Sequence, residues 1–89
     1  MARNFTKDPQ AVLDYRWDWS AWLAGDIITE HAVSAAEGLT VDGDSRTETA
    51  VTAWLKGGTA CQVYPVTCHV KTAGGREDDR TIEITVMEQ

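Results

Sequence analysis

The sequence predicts an all-β protein, two antiparallel sheets stacked as a β-sandwich of about seven strands, and three observations lead there. Leu13, Tyr15, Trp17 and Trp19 recur at every second residue with Asp14, Arg16 and Asp18 between them. That pattern gives one apolar and one charged face, the mark of a strand with one side against a core. A 3.6-residue helical period would scatter the same aromatics around a cylinder. Turn-forming clusters of Gly, Asp and Ser interrupt the chain about every ten residues, the spacing of short strands in a sandwich. No long amphipathic helical pattern occurs, which argues against alternating strands and helices.

The elements follow in order. Residues 1–10 mix charge, Asn4 and Pro9 with one large apolar side chain, Phe5. They read as an extended N-terminal arm, with the folded domain over 11–89. The first strand is expected over 12–19, and its buried aromatics, at about 150–250 Å² each, can carry much of a small core. Asp18 or Ser20 can then cap one helical turn holding Trp19, Trp22 and Leu23 on one side, and the sequence leaves that turn open.

After the Ala24-Gly25-Asp26 turn, residues 27–33 are rich in β-branched side chains and form a second strand. Residues 39–41 form a short third strand, ended by Asp42-Gly43-Asp44-Ser45, where Gly accepts positive φ and Asp and Ser bond their own backbone. The next strand, over 48–55, places Val51, Ala53 and Leu55 opposite Ala50, Thr52 and Trp54, and Gly57-Gly58 closes it. Over 61–71, Tyr64, Val66, Cys68 and Val70 take the inner face. Ala73-Gly74-Gly75-Arg76 has the length of a hairpin connection, and the last strand turns Ile82, Ile84 and Val86 inward.

The expected core is therefore Leu13, Tyr15, Trp17, Tyr64, Val66, Ile82 and Ile84. Tyr64 lies just after the Gly57-Gly58-Thr59-Ala60 corner, where an immunoglobulin-like sandwich places a tyrosine whose hydroxyl bonds back to the corner's backbone. Pro65 has no amide hydrogen, so its nitrogen must face an edge, a bulge or a partner.

Composition limits the function classes. With 89 residues there is room for one domain, burying about 60% of its unfolded surface. The net charge is −6 and no two Lys or Arg are adjacent, which argues against a phosphate-binding surface and so against nucleic acid. The sequence shows neither a signal peptide nor a membrane-length apolar run, so synthesis in the cytoplasm and no membrane partner are expected. Cys61 and Cys68, an odd number apart, face opposite sides of one strand and are expected to be free thiols.

No metal or cofactor is expected. His31 and His69 each stand alone, whereas zinc needs about four ligands, or three plus water. The stretch from Asp42 has Thr47 where a calcium loop needs Gly and Ala53 where it needs Glu. Catalysis is not expected either. Arg16 between Asp14 and Asp18 would hold both carboxyls ionised, the reverse of a general acid, Glu77, Asp78 and Asp79 lie beside Arg80, and no nucleophile motif is present. So small an interior cannot hold every aromatic, which makes Phe5, Trp19, Trp22 and Trp54 candidates for a partner interface.

The ordered set Asp14-Tyr15, Asp18-Trp19-Ser20-Ala21-Trp22-Leu23, Gly25-Asp26-x-Ile28, Gly38-Leu39-Thr40-Val41, Trp54-Leu55-x-Gly57-Gly58-Thr59-Ala60, Tyr64-x-Val66-Thr67 and Gly75-Arg76-x-Asp78-Asp79-Arg80 resembles a family of small tailed-bacteriophage structural proteins. Its members are commonly labelled fiber-tail adaptor or virion protein. The resemblance spans about residues 7–86, departing at Cys61, where a small residue is usual, and at Pro65, where Thr or Ser is usual. It implies an immunoglobulin-like fold and a virion subunit at the neck, tail, fibre or capsid surface, present in several symmetric copies and contacting other phage proteins. A carbohydrate- or receptor-binding module, with exposed tryptophans stacking on sugar rings, is the alternative reading.

Overall fold

A computed structural model describes the backbone of residues 3–87 and the side chains of residues 5–87. The first two residues of the expected arm and the last two of the domain lie outside this range. The elements are β1 (Arg3–Lys7), β2 (Leu13–Asp18), α1 (Ser20–Leu23), β3 (Ile28–Ala35), β4 (Leu39–Arg46), β5 (Ala50–Gly57), β6 (Gln62–Thr72) and β7 (Glu77–Val86). They build one sheet in the order β1-β7-β6-β3 and another in the order β2-β5-β4. All pairings are antiparallel except β1 with β7, which is parallel.

The period-two alternation sets the core. Tyr15, Trp17 and Trp19 on or just after β2, and Val51, Ala53 and Leu55 on β5, face Tyr64, Val66, Cys68 and Val70 on β6 and Ile82, Ile84 and Val86 on β7. Each of these side chains is buried, so the aromatic ribbon of β2 lies against the second sheet as its spacing requires.

Four sequence-based expectations are corrected. Residues 3–7 are not a free arm: β1 lies along β7, and Phe5 packs edge-to-face on Tyr15 with ring centroids 5.3 Å apart. A parallel pairing between the two ends of the chain leaves no local signal, which is why the segment reads as unpacked. Leu13, expected in the core, is 39% exposed, because it opens an edge strand with a neighbour on the β5 side only. Trp19, expected as an exposed contact, is fully buried. Finally, Asp42-Gly43-Asp44-Ser45 is no turn. β4 runs through it, and a bulge between Val41 and Gly43 absorbs the extra residue. The chain reverses instead at Thr47-Glu48-Thr49, where the Thr47 hydroxyl accepts from the Ala50 amide at 3.1 Å.

The expected tyrosine corner is present. The Thr59 amide donates to the Tyr64 hydroxyl at 2.8 Å. A Cβ on Gly38 would meet Tyr64 Cε1 at 2.9 Å and one on Gly58 would meet Cε2 at 3.4 Å, so the ring lies between two glycines. Changing Tyr64→Phe keeps the ring and orphans the Thr59 amide. The expected loss is about 1 kcal/mol by urea unfolding, and an unchanged midpoint would show that the corner bond contributes nothing.

Pro65 also finds its explanation. Its carbonyl accepts from the Ala36 amide at 3.1 Å, just past the end of β3. The nitrogen and carbonyl of a strand residue point the same way, so the missing N–H faces the place where β3 has stopped.

Candidate functional site

Some of the aromatic and charged residues singled out by the sequence gather into two structural clusters. In the first, α1 is a single turn whose end residue Ala24 is left-handed, at φ 49°. Ahead of it, the Asp18 carboxylate accepts from the Ser20 amide at 3.0 Å. The turn sets Trp22 edge-to-face on Trp19, centroids 5.2 Å apart. Two arginines complete the stack, Arg80 from β7 and Arg76 from the hairpin just before it. Arg80 lies 4.2 Å over the Trp19 ring and donates to the Asp18 carbonyl. Arg76 lies 4.1 Å over Trp22 and donates to the carbonyls of Trp22 and Leu23 at 2.7 and 3.1 Å. The order Arg80, Trp19, Trp22, Arg76 thus ties β7 of one sheet to the β2–α1 corner of the other through cation–π contacts and charged donors.

The second cluster is Asp26. Its carboxylate accepts from the amides of Ile27 and Gly74 at 2.9 and 3.1 Å, joining the turn before β3 to the hairpin before β7. Hydrogen bonds, with the Thr72 hydroxyl and the Ile27 amide foremost, hold its pKa below the ordinary carboxylate value. Motif residues far apart in sequence therefore satisfy one another.

A third contact was not legible. Lys7 is fully buried, and its ammonium donates to the carbonyls of Asp8 and Gly57, each at 2.8 Å. Burial lowers its pKa, opposed by the Asp8 charge. It latches β1 of one sheet to the end of β5 in the other.

The candidate titratable groups do not converge. Asp14, Arg16 and Asp18 line the outward side of β2, all exposed. The Asp18 pKa is lowered chiefly by the Ser20 amide bond, with Arg16 a smaller influence. His31 contacts Asp44 at 2.5 Å through Nε2, while Arg46 donates to its Nδ1 at 3.1 Å. His69 contacts Asp79 through Nδ1 and Glu77 through Nε2 at 3.1 Å. Among the described residues no group of three or more His, Cys, Asp or Glu is placed to hold a metal ion. Cys61 is exposed, Cys68 is buried, and both are free. Burial pushes the Cys68 thiol up to about 11.

The two carboxylates flanking His69, Asp79 first, raise its pKa. A raised pKa favours the folded state at pH below the unfolded value of about 6.5, and that contribution is lost as pH rises through the folded value. Changing Asp79→Asn is expected to move the imidazole titration, followed by NMR of the ring protons, to lower pH. An unmoved titration would discount the Asp79 contact.

The candidate interface residues separate by exposure. Trp19 is core, while Phe5 and Trp22 are half-buried and packed against the core. Trp54, opposite Asp14 on the outward face of β5, is 45% exposed. Around it are Gly43, its partner on β4, and the Lys56–Asp42 ion pair at 3.0 Å. Among the described residues, no third layer covers this face of the β2-β5-β4 sheet. An uncovered sheet face with one large aromatic among charges can bind another macromolecule.

Comparison with known proteins agrees with the fold and adds a family. The family model described as podophage GP4 fiber-tail adaptor protein gp77 matches residues 7–85. No curated protein sequence matches the chain. Among solved structures, the solution structure of the PKD domain from KIAA 1837 protein is similar in fold, with a TM-score of 0.53 and 15% identity, covering 99% of this chain and 81% of that one.

Proposed function

This chain belongs to the podophage GP4 fiber-tail adaptor protein family, and from that premise we propose that it is a small structural subunit of the virion, joining tail or fibre components to their neighbours through protein–protein contacts. The observation that carries the reading is the extent of the match: residues 7–85 take in nearly the whole sandwich, from the end of β1 into β7. The architecture supports it. Trp19, Trp22, Arg76, Arg80 and Asp26 are spent on holding the structure together, which leaves the outer face and free edge of the β2-β5-β4 sheet for partners. In this reading the chain works without catalysis or cofactor, in several symmetric copies, and the aromatic at Trp54 is the strongest anchor on the uncovered sheet face.

Mass spectrometry of purified virions tests the proposal. The chain is expected in the particle at a fixed ratio to the tail proteins, and its absence would end the proposal. The carbohydrate-binding alternative rests on the same exposed Trp54, which could stack on a sugar ring. An adaptor predicts that tryptophan fluorescence stays flat when the protein is titrated with oligosaccharides, whereas a saturable change would favour the sugar reading.

A further inference from the structure

The four sheet edges are not alike. At one side of the sandwich, β3 and β4 are both interrupted by register shifts, at 28–30 and at 41–43. His31, Asp44 and Arg46 bond across from one strand to the other. Bulges and charges of this kind blunt an edge against pairing. At the opposite side, β2 is the free edge of its sheet and runs for six residues in unbroken register.

The direction of its free backbone groups is fixed by two hydrogen bonds. The Trp19 amide donates to the Thr49 carbonyl at 2.9 Å, so in the alternating antiparallel ladder Leu13, Tyr15 and Trp17 bond toward β5 and Asp14, Arg16 and Asp18 point away from it. The Asp18 carbonyl, turned outward, is taken by Arg80. Among the described residues, what stays open is the N–H and C=O of Asp14 and Arg16 and the N–H of Asp18.

We propose that β2 is the contact between two copies of this chain, paired antiparallel about a two-fold axis at Tyr15, so that two three-stranded sheets become one of six. The charge pattern selects the occupant and the register. With Tyr15 opposite Tyr15 of the second copy, Asp14 stands opposite Arg16 and Arg16 opposite Asp14, giving four backbone hydrogen bonds and two cross-strand ion pairs. Sliding the pairing so that Arg16 meets Arg16 sets Asp14 against Asp18 and like charges face each other at every position, which is destabilising. A further slide the same way, Arg16 against Asp18, needs the Asp18 carbonyl that Arg80 already holds, and a slide the other way sets Asp14 against Asp14. In the favoured register Leu13, exposed in the single copy, lies beside Trp17 of the second copy. Such a contact is isologous and closes on itself, and its formation does not depend on which virion component the chain meets.

Sedimentation velocity of the full chain over a concentration series tests this with a charge swap. The wild type is expected to move from a monomer of 9.8 kDa to a dimer as concentration rises. Asp14→Arg and Arg16→Asp, singly, each place like charges opposite one another twice per dimer and are expected to weaken association by roughly tenfold. The double variant Asp14→Arg/Arg16→Asp again sets opposite charges across the two-fold in this register and is expected to recover dimerisation. Both side chains are exposed, and circular dichroism confirms that each variant is folded. A wild type that stays monomeric, single variants that dimerise as well as it does, or a double variant that fails to recover would overturn the proposal.

Discussion

Replacing Trp19 with alanine is expected to cost about 3–5 kcal/mol, the range for deleting a large aromatic from a packed core. Trp19 is fully buried, stacks on Trp22, and lies under the Arg80 guanidinium. Its loss therefore opens a cavity and releases the arginine that ties β7 to the β2–α1 corner. Small domains of this kind have about 0.05–0.15 kcal/mol of stability per residue, so for 89 residues a large share of the total is at stake. The melting temperature is expected to fall on the order of 20 °C, and the variant to be partly unfolded at 37 °C. Trp54→Ala is the control. That side chain is 45% exposed, and the free protein should lose less than about 1 kcal/mol. Equal losses at the two sites would show that the assignment of core and surface tryptophans is wrong.

The second large effect is expected at the glycine corner. Gly58 has φ +93°, and a Cβ there would stand 2.6 Å from Val86 Cγ2. Gly58→Ala therefore meets backbone strain of about 1–3 kcal/mol and overpacking of a similar size, a combined cost of about 3 kcal/mol. The amide of this same residue donates to the Gly38 carbonyl at 3.0 Å, so the corner cannot relax without releasing the Tyr64 ring. Gly43→Ala gives the comparison: nothing lies within 4 Å of its added carbon and its φ is not positive, so a change within about 0.5 kcal/mol is expected. Thermal unfolding of the two variants side by side measures the difference, and a Gly58→Ala protein as stable as Gly43→Ala would contradict the packing described around Tyr64.

These two sites show how far local sequence carries. The inward faces of β2, β6 and β7 follow from period-two alternation, because a half-buried strand leaves no other arrangement for Tyr15, Trp17, Val66, Ile82 and Ile84. Tyr64 could be placed because the corner motif is itself local. What local reading misses depends on partners distant in sequence. β1 pairs with β7 across nearly the whole chain. Lys7 is buried because two backbone carbonyls receive its ammonium. Trp19 is buried because Arg80, some sixty residues later, covers it. One signal was available for that last contact: Arg80 shares the alternation of Ile82 and Ile84, so it starts from the inward side of β7 and needs an acceptor there. Asp42-Gly43-Asp44-Ser45 misled for a related reason. Turn-forming residues also suit a bulge, and only the pairing of β4 with β5 distinguishes the two.

Of the interface candidates, the structure separates Trp54 from the rest by leaving it on an uncovered sheet face, while Trp19 and Trp22 hold the two sheets together. The adaptor reading therefore concerns what covers the outside of a sandwich whose inside is fully used.

Imaging the assembled particle at residue resolution tests that reading most directly. The account predicts this chain as a seven-stranded sandwich in several copies, with Trp17, Trp19 and Tyr64 inside and the face bearing Trp54 buried against a neighbouring protein. A particle without the chain, or copies whose Trp54 face is open to solvent, would contradict it.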